Sequence, residues 1–308
     1  MRRTGIAHLL PFAFAWLAAG TVAAQTTPPP QETPVEGIVV LGMPLREQVE
    51  TFVDAVTAPP PGRGPARWNE RSGVCVGVIN LARDAAQAMA DRVSDVAGGL
   101  GLRVGEPGCS PNIIVIATDD APGLTRAMVE RSPNAFRPDY AGAARSSREL
   151  ELFVSSDRAV RWWHVAMPVV RDSGAPAVRL PGRNAPFVPG GGRLTTEMRN
   201  RLLRAYIVID IDQAEGLTLG QLSDYVAMVA LVQIDPDARV EGFDTILNVV
   251  ADPSSAAALT DWDQAYLSAF YDVELNQQNP AAQAGAIASD MYRQRRQAEA
   301  DAEAATPE

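Results

Sequence analysis

The sequence predicts an α+β domain built on a mixed sheet with a buried central helix, an inserted β-hairpin region and C-terminal helices. Three observations lead there. Apolar strand-like runs at 74–80 and 112–118 flank an amphipathic helix, a further strand and deeply apolar helix follow at 205–234, and the stretch between them is rich in Gly, Pro and Arg.

The chain opens with Met1-Arg2-Arg3, an apolar run from Leu9 to Ala19 and the small residues Val22-Ala23-Ala24. That order predicts a secretory signal peptide over 1–24, cleaved before Gln25, and hence a periplasmic or secreted protein; an uncleaved anchor is the other reading. No later segment offers the ~20 continuous apolar residues that a membrane span needs. The nearest, 217–234, carries Gln221, Ser223, Asp224 and Gln233. Thr, Pro and Gln dominate 25–36, a composition that buries no core and predicts a disordered linker.

A single domain is expected over 37–279. Gly37 to Gly42 suggests a short strand, and Leu45 to Val56 a helix with Val49, Phe52, Val53 and Val56 on one face. Ala58-Pro-Pro-Pro-Gly62 breaks the chain. The strand Val74–Asn80 leads to a helix over 82–97 with Ala86, Met89, Ala90, Val93 and Val96 on one face, which stops at Gly98-Gly99. Asn112–Thr118 is apolar without interruption, as in a strand covered on both faces. A β-α-β crossover makes these strands parallel, so Cys75 and Cys109 start at one sheet edge. They are the two cysteines of the chain, and an oxidising compartment favours a disulfide over two buried thiols.

Residues 121–200 are taken as an insertion with one hairpin, Val160–Val170 and Ala177–Leu180 around Asp172-Ser173-Gly174. Ala205–Ile211 resumes the sheet. Thr218-x-x-Gln221 is a capping box for the following helix, and Thr260-x-x-Asp263 opens a last helix that turns Trp262, Tyr266, Leu267 and Phe270 inward. The Ala- and charge-rich tail, 280–308, is expected outside the core.

Charge and histidine content exclude several functions. The chain has 27 basic and 37 acidic residues, a net charge of −10. Loss of Arg2 and Arg3 with the leader makes it more negative still, and no lysine occurs, so nucleic acid is not an expected partner. The lysine of a phosphate-binding Walker loop is likewise missing. His164 is the sole histidine after the leader, which rules out a zinc site of two or three histidines, and no G-x-S-x-G elbow supplies a nucleophile. Alternation along Val160-Arg-Trp-Trp-His-Val puts Trp162 and His164 on one face and Arg161, Trp163 and Val165 on the other. Asp172-Ser173-Gly174 fits a turn better than an aspartic-peptidase signature, since Asp244-Thr245 lacks the second glycine. The acid pairs Asp119-Asp120 and Asp210/Asp212 have the chemistry for glycoside hydrolysis or Ca²⁺, but such pairs at strand ends are usually solvated, and Asp210-x-Asp212 lacks the EF-hand glycine. No metal and no cofactor is expected.

Two segments carry a family resemblance: Gly216-Leu-Thr-Leu-Gly-Gln-Leu-Ser-Asp-Tyr-Val-Ala-Met-Val-Ala-Leu and Leu259-Thr-Asp-Trp-Asp-Gln-Ala-Tyr-Leu. With the strand and helix order, they make residues 68–120 and 204–275 resemble the zincin metallopeptidases, and more closely secreted alphaproteobacterial proteins of unassigned function related to the minimal gluzincins. The resemblance implies a zincin-like mixed sheet. Laid on the helix, the zincin H-E-x-x-H-x-x-G-L pattern puts Ser223 and Ala227 at the metal-ligand positions and Asp224 at the general-base position. Both ligands are then lost, because neither side chain replaces an imidazole.

The expectation is a non-catalytic scaffold that binds a peptide, a protein or an envelope component beside the 218–234 helix. Asp224, Ser223, His164 and Trp162 are its candidate groove residues. The alternative is a metal-independent hydrolase using Asp224 and His164; a histidine within hydrogen-bond reach of an acid or serine in a cleft would favour it.

Overall fold

A computed structural model describes residues 43–59, 63–69, 73–136, 145–178, 188 and 190–305. The leader and linker expected over 1–36, the strand expected at 37–42 and the hairpin end expected at Leu180 lie outside the described residues. Residues 43–308 form one unit.

The apolar spacing of Leu45–Val56 (α1) buries Val49, Phe52, Val53 and Val56 as expected. Val76–Ile79 (β1), Arg83–Gly99 (α2) and Ile113–Thr118 (β2) follow. β1 and β2 are parallel, with Val76 opposite Ile113, as a β-α-β crossover requires. Cys75 and Cys109 are disulfide-bonded with Cα atoms 6.1 Å apart. Gly105 is packed so closely there that a Cβ would stand 2.6 Å from Cys109 Sγ.

Three helices then cover one face of the sheet: Ala121–Arg131 (α3), Pro133–Phe136 (α4) and Ser147–Ser155 (α5). Asp120 caps α3 by accepting from Gly123 N at 2.8 Å, and Ser146 with Glu149 forms a capping box on α5. The expected insertion is therefore part of the body. Val160–Val170 (β3) turns tightly, with Val170 N bonded to Ala175 O at 2.8 Å and Ala177 N to Pro168 O at 2.9 Å, and its long pairing is with Met198–Asp210 (β4), antiparallel to β3 over its whole length. The sheet order is β1-β2-β4-β3, with β2 and β4 parallel. β4 is nearly twice as long as the strand expected. Its first half, Met-Arg-Asn-Arg, is only half-buried, so it gives no apolar alternation from which to find it.

On the opposite face lie Leu219–Leu231 (α6), Asp261–Asp272 (α7) and Pro280–Ala305 (α8). Thr218 with Gln221 and Thr260 with Asp263 form the two expected capping boxes. From Gln221 onward α6 is buried at nearly every position, which makes it the central helix. Its C-terminal carbonyls, left without intrahelical donors, accept from Trp68 Nε1 at Ala230 O (2.9 Å) and Tyr271 Oη at Leu231 O (2.5 Å). α8 corrects the expected tail boundary. Ile287 and Met291 are fully buried in the main core because α8 packs along α1 and α7.

Alternation on β3 divides two cores. Trp162 joins α1, α2, α6, α7 and α8, whereas Trp163, Val165, Tyr206 and Val208 pack with Phe136, Leu150 and Phe153 under α3–α5. The architecture is thus α+β, a four-stranded mixed sheet between two helical layers.

Candidate functional site

Of the four candidate groove residues, three are sealed within the protein. Asp224 is 2% exposed. Its Oδ1 accepts from Arg92 Nε of α2 at 2.5 Å and its Oδ2 from Leu259 N at 2.8 Å. A carboxylate satisfied at both oxygens links two helices and the loop before α7. The pairing raises the Arg92 guanidinium above its usual value, the hydrogen bond to Asp224 outweighing its partial burial. Ser223 bonds back to Leu219 O at 2.6 Å, and Ala227 is fully buried.

His164 is 2% exposed and lies against the carbonyls of Val229 and Ala230. Burial, assisted by Arg145, holds its imidazole down to about 4, although the two carbonyls favour the charged ring. It is neutral at physiological pH. No hydrogen bond joins His164 to Asp224, whose oxygens are engaged elsewhere, so the geometry sought for a hydrolase does not occur between them. Trp162 is the candidate that reaches a groove. Its indole donates to Ile234 O at 3.0 Å, and its ring meets Tyr225 edge-on at 6.2 Å. Together they line a depression of about 250 Å³ with Val240, Leu247 and Val250.

One member of each acid pair is occupied locally. Asp120 is the α3 cap, and Asp210 accepts from Gln213 N at 3.3 Å. Among the described residues no group of three or more His, Cys, Asp or Glu side chains is placed to hold a metal ion. Asp263, fully buried, accepts from Thr245 Oγ1, Ile246 N and Thr260 and holds the loop ahead of α7.

The site that the sequence reading missed lies at the far end of the β3–β4 ribbon. A cleft of about 320 Å³ is bounded by Arg63, Arg67, Arg199, Asn200, Gln277 and Gln278, among others, and among the described residues its wall holds three arginines and no acid. Segment 194–196 docks on 276–278 through Gln278 N to Leu194 O (3.0 Å) and Thr196 N to Asn276 O (2.8 Å), which fixes one side. Asn200 donates to Gly64 O at 2.6 Å and Arg67 to Tyr271 O at 2.9 Å. Arg63 and Arg199 form no ion pair among the described residues. A second depression, about 610 Å³, shares Arg67, Arg199 and Leu275 with the first and carries Asp172, Asp272 and Glu274. The available signal was Arg199-x-Arg201, an alternation that puts two cations on one strand face.

No helix among the described residues is long and apolar enough to cross a membrane. Compared with family models, curated proteins and solved structures, the chain matches none.

Proposed function

We propose that this is an exported binding protein without a catalytic role, carried on a zincin-like scaffold, which takes a carboxylate-bearing ligand in the Arg63–Arg199 cleft. The ligand class is an acidic peptide segment or an envelope component of the same chemistry. The observation that carries the proposal is the wall of that cleft, three arginines and no acid among the described residues, in a chain of net charge −10. Guanidinium groups match carboxylates in bidentate geometry. With Arg67 anchored to backbone carbonyls, Arg63 and Arg199 are the groups left to turn toward a ligand. The burial of Asp224 against Arg92 supports the non-catalytic reading, since an acid held at both oxygens is not disposed to take a substrate proton.

Export is part of the proposal. A disulfide between Cys75 and Cys109 suits an oxidising compartment, and the leader over 1–24 would deliver the chain there with Gln25 at its mature end.

The test is titration of mature protein with fluorescent oligoglutamate and oligolysine peptides at low and moderate salt. Saturable binding of oligoglutamate alone is expected, weakened about tenfold or more in Arg63→Glu/Arg199→Glu protein. Equal binding of both peptides, or binding indifferent to these substitutions, would overturn the assignment. The comparison of a free oligopeptide with isolated envelope polymer then separates the two ligand sources.

A further inference from the structure

β3 sets Arg161 opposite Val208 of β4, on the face that packs under α5. It is 2% exposed. Its Nη1 reaches Val154 O at 3.4 Å, but Nε and Nη2 are buried with no protein partner among the described residues, and so is the Oγ of Ser156. Both residues border one cavity of about 20 Å³, together with Arg145, Glu149, Arg158 and Asp237.

The charges around this cavity do not balance. Arg145 pairs with Glu149 at 2.8 Å and approaches Asp235 at 3.7 Å, and Arg158 pairs with Asp237. Arg161 has no carboxylate in ion-pair contact among the described residues. Asp210, Asp157 and Asp120 act on it only through space, and their oxygens already serve other groups: Asp210 takes Gln213 N, Asp157 takes Gln213 Nε2, and Asp120 caps α3. Burial accordingly pulls the Arg161 guanidinium below its usual value despite those acids. A buried cation without a contacting counter-charge costs several kcal/mol unless something neutralises it.

Size and donor chemistry narrow what that can be. Roughly 10–15 Å³ holds one water, so the cavity takes a single small species and excludes a carboxylate or phosphate. Guanidinium N–H groups only donate, and the serine hydroxyl can donate too. The two carboxylates on the wall, Glu149 and Asp237, are already paired with Arg145 and Arg158, so Arg161 Nε and Nη2 and the Ser156 hydroxyl are donors left without an acceptor among the described residues, a set that suits an anion better than water, which must also place its own hydrogens. We propose that the Arg161–Ser156 cavity is a binding site for one monatomic halide, chloride in practice, that neutralises Arg161 and ties the end of α5 to β3.

The test compares thermal melts of mature protein in sodium chloride, sodium bromide and sodium gluconate at fixed ionic strength, with anomalous diffraction from bromide-soaked crystals. Expected are a saturable rise of roughly 2–4 °C in halide over gluconate and an anomalous peak within contact distance of Arg161 Nε and Ser156 Oγ. Arg161→Met should lose the halide-dependent rise. Should that variant fail to fold, Ser156→Ala serves instead and is expected to reduce the rise at least by half, while Arg63→Ser/Arg199→Ser, in the separate cleft, should keep it whole. Identical melts in chloride and gluconate, no bromide peak at Arg161, or a rise that follows Arg63 and Arg199 would each overturn the site.

Discussion

Arg92 and Asp224, 132 residues apart, meet at 2.5 Å and join α2 to α6. Asp224 is nearly sealed from solvent, whereas the Arg92 side chain is 43% exposed. The pair is asymmetric, and its loss falls on the acid's side. Without the carboxylate, Arg92 can turn to water but Leu259 N loses its acceptor. Asp224→Ala is therefore expected to lower stability by about 2–4 kcal/mol in urea unfolding, and Arg92→Ala by less. Oligoglutamate affinity of the folded Asp224→Asn protein should stay within twofold of the parent. A selective loss of that affinity would return Asp224 to the ligand site.

His164 gives the stability a pH dependence of known sign. Its folded value of about 4 lies below the ordinary 6.5, so between these limits the unfolded chain binds a proton that the folded chain refuses. Stability is fully present above about pH 6.5 and falls as pH drops toward 4, by about 3 kcal/mol in all. His164 is the one histidine among the described residues, so it is the imidazole that sets the slope from pH 6.5 to 5, while the buried Asp263 carboxyl, raised by desolvation, contributes with the opposite sign. His164→Gln should flatten that slope in denaturant titrations; an unchanged slope would show that the ring is not held neutral.

The disulfide closes a loop across a separation of 34 residues. Reduction, or Cys75→Ser/Cys109→Ser, is expected to lower stability by about 3–4 kcal/mol on the chain-entropy model. Gly105→Ala should act on the same staple, because its Cβ would press on Cys109. About 1–3 kcal/mol of overpacking is expected there, and less of that loss once the bridge is reduced. A double-mutant cycle that gives strict additivity would argue against their contact.

Truncation locates the end of the domain. Residues 298–305 are almost wholly exposed, so a chain ending at Gln297 should melt within a degree or two of the parent. A chain ending at Asn279 uncovers α1 and α7 and deletes Ile287 and Met291, both fully buried. It is expected to unfold or to lose more than about 4 kcal/mol.

What the sequence determined by itself was what lies within a few residues of each signal. Helical spacing gave α1, α2, α6 and α7. Thr218-x-x-Gln221 and Thr260-x-x-Asp263 gave their starts, two-residue alternation separated Trp162 from Trp163, and the crossover brought Cys75 to Cys109. These patterns are local because backbone geometry repeats every two or 3.6 residues. Tertiary structure alone decided the pairing of β3 with β4, the docking of α8, the partner of Asp224 and the cluster of Arg63, Arg67 and Arg199. Each joins residues far apart in the chain, and in the half-exposed, arginine-rich start of β4 the apolar pattern that marks a strand is absent. A side chain such as Asp224 carries the same chemistry whether it faces a ligand or an arginine, and only the packing of α2 against α6 selects between them.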